Sequence, residues 1–411
     1  MEVSGRLGAL AERNFRLVFS SVTISALGDG VTTIALAFAV LDISGSATAL
    51  GLVIAARQLA ATAITLAAGV WADRLPRNLV LVAAAVAQGS VQAVVGVLLV
   101  AGYAEVWMLV VGGLVYGLAD GFVIPTSQGL IPAVVSSVRL QQANALLGLS
   151  RSLLGVLGPA VGTVLVAVGS PGSALLVDAA SFFAAAWLLL RVALAPRAGA
   201  APAAPFFAEL RQGWNEFRRQ RWIWTTIVFF GIGNCASMAL LVLGPLVAKQ
   251  DYSGASTWGT LITCFGAGAI LGGIVALRYR PSRPLLVSCL AACPLALQPL
   301  GIALLLPLAV LIAIAVVAGV GLAIHLALWF TVFQQHVPEE ARSRVSSYDA
   351  LGSFVLTPLG AAVAGPIAAV VGVTATLIGT FAIEVACLAV IIAQPSVWAI
   401  GREPARVPVP A

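Results

Sequence analysis

The sequence predicts an all-α integral membrane protein whose twelve transmembrane helices form two pseudo-symmetric six-helix halves. Three observations carry that prediction. Of 411 residues, 60% are hydrophobic and only 9% are charged, with a mean hydropathy of +1.04. The apolar runs are long and unbroken. The basic residues between them fall almost entirely on one side. Soluble domains carry about a quarter charged residues and just under half apolar ones, so lipid is the main solvent of this chain. Backbone groups in lipid must be satisfied internally, which leaves helices or a closed barrel. The runs lack the ten-residue alternation of a barrel.

A hydrocarbon core about 30 Å thick takes about 20 residues of helix. Runs of that length lie near 16–41, 48–71, 79–101, 106–130, 140–168 and 173–194. After a hydrophilic stretch come 223–248, 256–278, 284–306, 308–332, 345–371 and 373–394. Pro307 is the best break between the ninth and tenth. With the N-terminus inside, 19 of the 22 basic residues face the cytoplasm. Lys249 alone falls outside, and Arg57 and Arg151 lie within spans. This asymmetry predicts that both termini are cytoplasmic. The first run is too long for a cleaved signal peptide and lacks a small-residue cleavage site. Arg makes up 21 of the 22 basic residues, a bias of GC-rich bacterial genomes, which places the protein in a bacterial cytoplasmic membrane.

The organisation follows: an N-terminal half over 1–194, a linker over 195–221, a C-terminal half over 222–394 and a tail over 395–411. The halves look duplicated. "GVLGPAVGTVLVAVG" (155–169) and "PLGAAVAGPIAAVVG" (358–372) align without gaps, with Gly162 over Gly365 and Gly169 over Gly372, a shift of 203. Two similar halves around a midplane site is a plan of many secondary transporters. Within the linker, "FFAELRQGWNEFRRQRW" spaces Phe207, Leu210, Trp214 and Phe217 at helical intervals among arginines. Residues 206–222 are therefore expected to lie on the inner leaflet, with Arg to anionic lipid headgroups. A helix that binds a partner is the alternative.

The charges inside spans are the strongest functional signal. Asp29, Arg57 and Asp120 lie in spans 1, 2 and 4. Arg151 and Asp178 lie in spans 5 and 6, and Glu384 in span 12. A charge at the bilayer centre costs at least about 2.5 kcal/mol, so each needs an aqueous cavity or a partner. A carboxylate in that setting can take up and release a proton. The alternative is structural pairing of Asp29 or Asp120 with Arg57. His325 in span 10 is the one intramembrane residue that titrates near neutral pH in water, though a lone His is more often simply packed. Trp329 and Phe330 beside it, and Tyr116 and Phe122 in span 4, are candidate walls for an aromatic cavity.

Cys235, Cys264, Cys289, Cys293 and Cys387 all lie in apolar runs and read as packing residues. With two His, a His-based metal cluster is not expected. No Gly-x4-Gly-Lys-Ser/Thr loop exists, so the chain does not itself hydrolyse ATP. Neither an enzyme, a cofactor, a metal nor a nucleic-acid partner is indicated, and a monomer is expected.

The charged turn "GVWADRLPRN" (69–78), together with twelve spans in two halves, resembles the major facilitator superfamily. That family's turn reads Gly, three residues, Asp, Arg, one residue, Gly, then two basic residues. Here Gly69, Asp73, Arg74 and Arg77 match, Pro76 replaces the second Gly and Asn78 the last basic residue. The resemblance implies that Asp73 and Arg74 belong to a cytoplasmic gate; the plain alternative is a topology signal. "GLADGFVIPTSQGLIPAVV", "LQQANALLGLSRSLLGVLGPAVG", "LLVDAASFFAAAW" and "VPEEARSRVSSYDALGSFVLTPLGAAVAGP" look like its branch of macrolide-efflux and enterobactin-exporter-like proteins. Gly155, Gly158, Pro159 and Gly162 are similar to the helix 5 motif that marks drug/proton antiporters, with Thr163 where a second Gly is usual. Close helix packing alone would also use them. The resemblance implies alternating-access export of an amphiphilic small molecule (drug, siderophore or secondary metabolite) in exchange for protons. It implies that helix 12, with Glu384, stands away from the cavity. Arg151, Asp178, His325 and Trp329 complete the candidate cavity set. A proton-coupled nutrient importer, a lysolipid flippase and a non-transporting receptor are the rival readings.

Overall fold

A computed structural model of the chain describes residues 8–72, 76–194, 221–337, 345, 348–349 and 351–400. Among the described residues, twelve helices are long and apolar enough to cross a membrane. They are α1 (Arg13–Ser44), α2 (Ala47–Ala72), α3 (Arg77–Ala101), α4 (Val106–Val134), α5 (Leu140–Val168) and α6 (Pro171–Leu190), then α7 (Arg221–Asp251), α8 (Ala255–Arg278), α9 (Pro284–Ala303), α10 (Leu308–His336), α11 (Leu351–Val371) and α12 (Val373–Ile392). A short α13 (Pro395–Ala399) follows. α9 is interrupted by a tighter 3-10 turn over Cys293–Ala296, which holds Pro294. Pro307 caps the start of α10, so it does separate the ninth and tenth spans.

Local chemistry sets several ends. Gly45 closes α1 with φ 61°, its N–H donating to Leu41 O, because that left-handed position suits a residue without Cβ. At α6, Ser170 and Ser173 cap each other's backbone reciprocally and Pro171 takes the first helical position, where its missing N–H costs nothing.

The chain divides into two compact units. Unit 1 comprises 1–200, 245–263 and 361–366; unit 2 comprises 201–244, 264–360 and 367–411. Inside each unit, helices cross where glycines remove side chains. In unit 1 a Cβ at Gly158 of α5 would lie 2.7 Å from Gly30 Cα of α1, and one at Gly162 would lie 2.8 Å from Val31 Cα. Gly117 of α4 packs against the Arg57 carbonyl of α2. Unit 2 repeats the device six helices on. Gly268 and Gly272 of α8 pack on Val316 and Val320 of α10, and Gly360 of α11 packs on the Cys235 carbonyl of α7. Without a hydrophobic drive between helices in lipid, such close contact is what holds them. Outward faces stay apolar: Val94, Val97 and Val100 on α3 are each more than half exposed, as a lipid-facing stripe requires.

Of the helix 5 glycines, Gly155 differs. A Cβ there meets nothing within 4 Å. Gly158→Val is therefore expected to destabilise the α1–α5 crossing by about 1–3 kcal/mol, while Gly155→Ala leaves stability unchanged. Thermal unfolding of the two purified variants in detergent checks this, and equal melting temperatures would contradict the crossing.

The gate residues Asp73 and Arg74 lie outside the described residues, as do residues 195–220 of the linker. The lipid-facing expectation for 206–222 is corrected at its last residue. Trp222 belongs to α7, is buried, and its ring lies 5.9 Å from that of Trp329. It packs in the unit 2 core with Ile223, Leu285 and Phe333.

Candidate functional sites in the two units

In unit 1 three helices bring charge together. Gly117, backed by Gly113, lets α2 and α4 approach, so Arg57 reaches across to Tyr116. The guanidinium carbon sits 3.9 Å from the Tyr116 ring centre. Arg57 also pairs with Asp29 of α1 at 3.6 Å, and the Tyr116 hydroxyl donates to the same carboxylate oxygen. The side chains of Asp29 and Arg57 remain 42% and 27% exposed. The pair is therefore partly exposed rather than sealed in packing. Of the two carboxylates that the structural alternative would pair with Arg57, Asp29 is the one that does so. Asp120 instead accepts from Gln88 Nε2 at 3.4 Å.

Asp178 of α6 is different. It is fully buried. Thr32 donates to its Oδ2 at 2.6 Å, Gln92 donates to the same oxygen at 2.7 Å, and Ser181 donates to Oδ1 at 3.2 Å. Gln92 also donates to Thr32 Oγ at 2.7 Å. Three donors stabilise this carboxylate, with no cation within ion-pair distance among the described residues, and the network ties α1, α3 and α6 together. A small cavity of about 20 Å³ lies between this network and Arg57, lined by Thr32, Gln92, Arg57 and Tyr116 among others. Arg151 on α5 is exposed.

At the charged turn, Arg77 opens α3 and donates to the Gly129 carbonyl of α4. A Cβ at Gly129 would collide with the guanidinium. Gly69 lies within α2.

Unit 2 holds the larger cavity, about 440 Å³. Residues of α7, α9, α10, α11 and α12, with Asp349 just before α11, line it. Trp329 and His325 are among them. His325 is packed: its Nδ1 lies 2.9 Å from Ser288 Oγ and 3.1 Å from Ser288 O, and Phe230 covers its ring at 4.6 Å. Glu384 of α12 also lies in this wall, and its Oε2 is buried without a hydrogen-bond partner among the described residues. Asp349 escaped sequence reasoning altogether, although it falls inside the 345–371 run. It accepts from Trp329 Nε1 at 3.2 Å and from Ser353 Oγ at 3.4 Å. The five cysteines are free thiols. Among the described residues no cluster of His, Cys, Asp or Glu could hold a metal ion.

The model of the Major Facilitator Superfamily matches residues 18–361, and the chain belongs to that family. Among curated proteins none matches it significantly. Solved structures share the fold. A bacterial homologue of the human lysosomal transporter Spinster, inward-facing and unoccupied, has a TM-score of 0.70 at 14% identity, over 96% of this chain and 98% of that one. A D-xylose–proton symporter has a TM-score of 0.67 at 12% identity, over 95% and 98%. A bacterial homologue of the iron transporter ferroportin, inward-facing, has a TM-score of 0.68 at 17% identity, over 92% and 98%. The chain is thus a multi-pass membrane transporter of this family by membership.

Proposed function

We propose that the protein is a secondary exporter. It moves an amphiphilic small molecule out of a bacterial cytoplasm by alternating access, in exchange for protons. Both termini face the cytoplasm, the halves 1–194 and 222–394 move against each other, and the linker near 206–220 rests on anionic lipid. The observation that carries this reading is the Asp29–Arg57–Tyr116 cluster. A partly exposed carboxylate within a span faces a fixed cation at 3.6 Å. A proton arriving at Asp29 removes its attraction to Arg57 and so alters the balance between states. A few kcal/mol of differential binding suffices to move such an equilibrium. Asp120, which accepts a long bond from Gln88, is the second candidate carrier. Export rather than import rests on the partial helix 5 motif, whose Gly158 and Gly162 pack on α1 beside Asp29. Asp73, Arg74 and Arg77 would gate the cytoplasmic side.

The test uses a host stripped of its own efflux pumps. Cellular accumulation of amphiphilic antibiotics, dyes and siderophores is followed with and without a protonophore. The expected result is lowered accumulation of at least one compound, restored by the protonophore. Protonophore-insensitive export would remove proton coupling. Raised accumulation would reverse the direction and favour an importer.

A further inference from the structure

The unit 2 cavity carries an assignment of its own. Its volume, about 440 Å³, lies within the roughly 300–1,000 Å³ usual for small-molecule sites. Its walls are mainly apolar and aromatic, with Phe229, Phe230, Trp329, Phe330 and Phe354 contributing rings. Its charge is one-sided: Asp349 and Glu384 both line it, and among the described residues that line it there is no Lys or Arg. The two carboxylates are held differently. Asp349 is fixed by the Trp329 indole N–H and the Ser353 hydroxyl. Glu384 keeps a buried oxygen with no donor, a costly arrangement that a cation or donor entering the cavity would relieve. Aromatic faces add attraction for a cation, Trp most strongly.

Resting on the transport reading above, and narrowing its substrate, we propose that this cavity binds a lipophilic organic cation: an aromatic or polycyclic body carrying one fixed positive charge or protonated amine. Its rings lie against the Phe and Trp walls and its charge is neutralised by Glu384 and Asp349. An anionic siderophore of similar size would have to bury its charge beside two carboxylates without a counter-ion in the wall, and is excluded.

The probe pair is tetraphenylphosphonium and tetraphenylborate, which share shape and apolar surface and differ in the sign of charge. Equilibrium binding of each to the full chain in lipid nanodiscs is measured against empty nanodiscs. The expected result is saturable binding of the cation only. Glu384→Gln and Asp349→Asn should each weaken it about tenfold or more. The Asn variant retains an acceptor for Trp329 and turns an amide donor toward the Ser353 oxygen, and melting temperatures of both variants are recorded. Equal saturable binding of the anion overturns the proposal and leaves a plain apolar pocket, such as one for lipid chains. Unchanged cation affinity in folded variants overturns it too. If a variant fails to fold, the comparison of the two probes on the wild-type chain still decides. Flux in proteoliposomes under a proton gradient separates the two readings. Cation binding without any flux keeps the site and sinks the exporter. Proton-driven flux of other amphiphiles without cation binding keeps the exporter and sinks the site.

Discussion

Asp29→Asn is expected to abolish export against a gradient while leaving exchange across the membrane intact. The amide still accepts from the Tyr116 hydroxyl, so the contact between α1 and α4 survives. What is lost is the negative charge that faces Arg57 at 3.6 Å, and with it the ability to alternate between charged and neutral. The variant is held permanently in the state the wild type reaches on protonation. A membrane potential supplies about 2.3 kcal/mol per charge per 100 mV, enough for roughly a fifty-fold concentration ratio. The ratio should collapse to that seen with protonophore, while counterflow of labelled against unlabelled substrate in proteoliposomes continues. Loss of counterflow as well would mean that Asp29 is needed to bind substrate or to complete the conformational cycle. Retention of uphill export would make the Asp29–Arg57 pair structural and pass the coupling role to Asp120.

Much of this arrangement is legible in the sequence because charges are scarce. With 9% charged residues, an Asp and an Arg inside neighbouring apolar runs stand out, and lipid leaves them few options beyond pairing or a cavity. The twelve spans are legible for the same reason, since hydropathy reads depth in the membrane directly. Lateral position is not encoded that way. Hydropathy could not say which carboxylate meets Arg57, because that depends on Gly113 and Gly117 admitting α2 against α4. Nor could it place Thr32 and Gln92 on Asp178, since the three residues lie on three different helices. Glu384 is plain in the sequence as a charge, but only the packing of α12 shows that it lines the unit 2 cavity. Asp349 was missed because its position at the very start of a span reads as an interfacial charge rather than as part of a site. A neighbouring signal existed: Trp329 needs an acceptor for its indole N–H when buried, and Asp349 supplies it.

Asp178 tests whether every intramembrane carboxylate of unit 1 is a transport group. The structure gives it three donors on three helices and no exposure, which is the environment of a structural anchor. Asp178→Ala would strand the Thr32 and Gln92 donors in a buried site where each orphan costs about 1–3 kcal/mol, while Ser181 keeps its bond to the residue 178 backbone carbonyl at 2.7 Å. Rearrangement among them recovers some, since Gln92 already bonds Thr32, so a net loss of about 3 kcal/mol is expected. Asp178→Asn retains one acceptor oxygen and offers its amide hydrogens to Ser181, so its loss should be about 1 kcal/mol. Melting temperatures should therefore fall in the order wild type, Asn, Ala. Transport per folded molecule by the Asn variant should match the wild type under the same proton gradient. A folded, stable Asn variant that no longer couples transport to protons would put Asp178 on the proton path. The small cavity lined by Gln92, Thr32, Arg57 and Tyr116 would then be its connection to Asp29, with room for about one water molecule. Stability and coupling thus move separately under the two roles, and one pair of substitutions at a single position tells them apart.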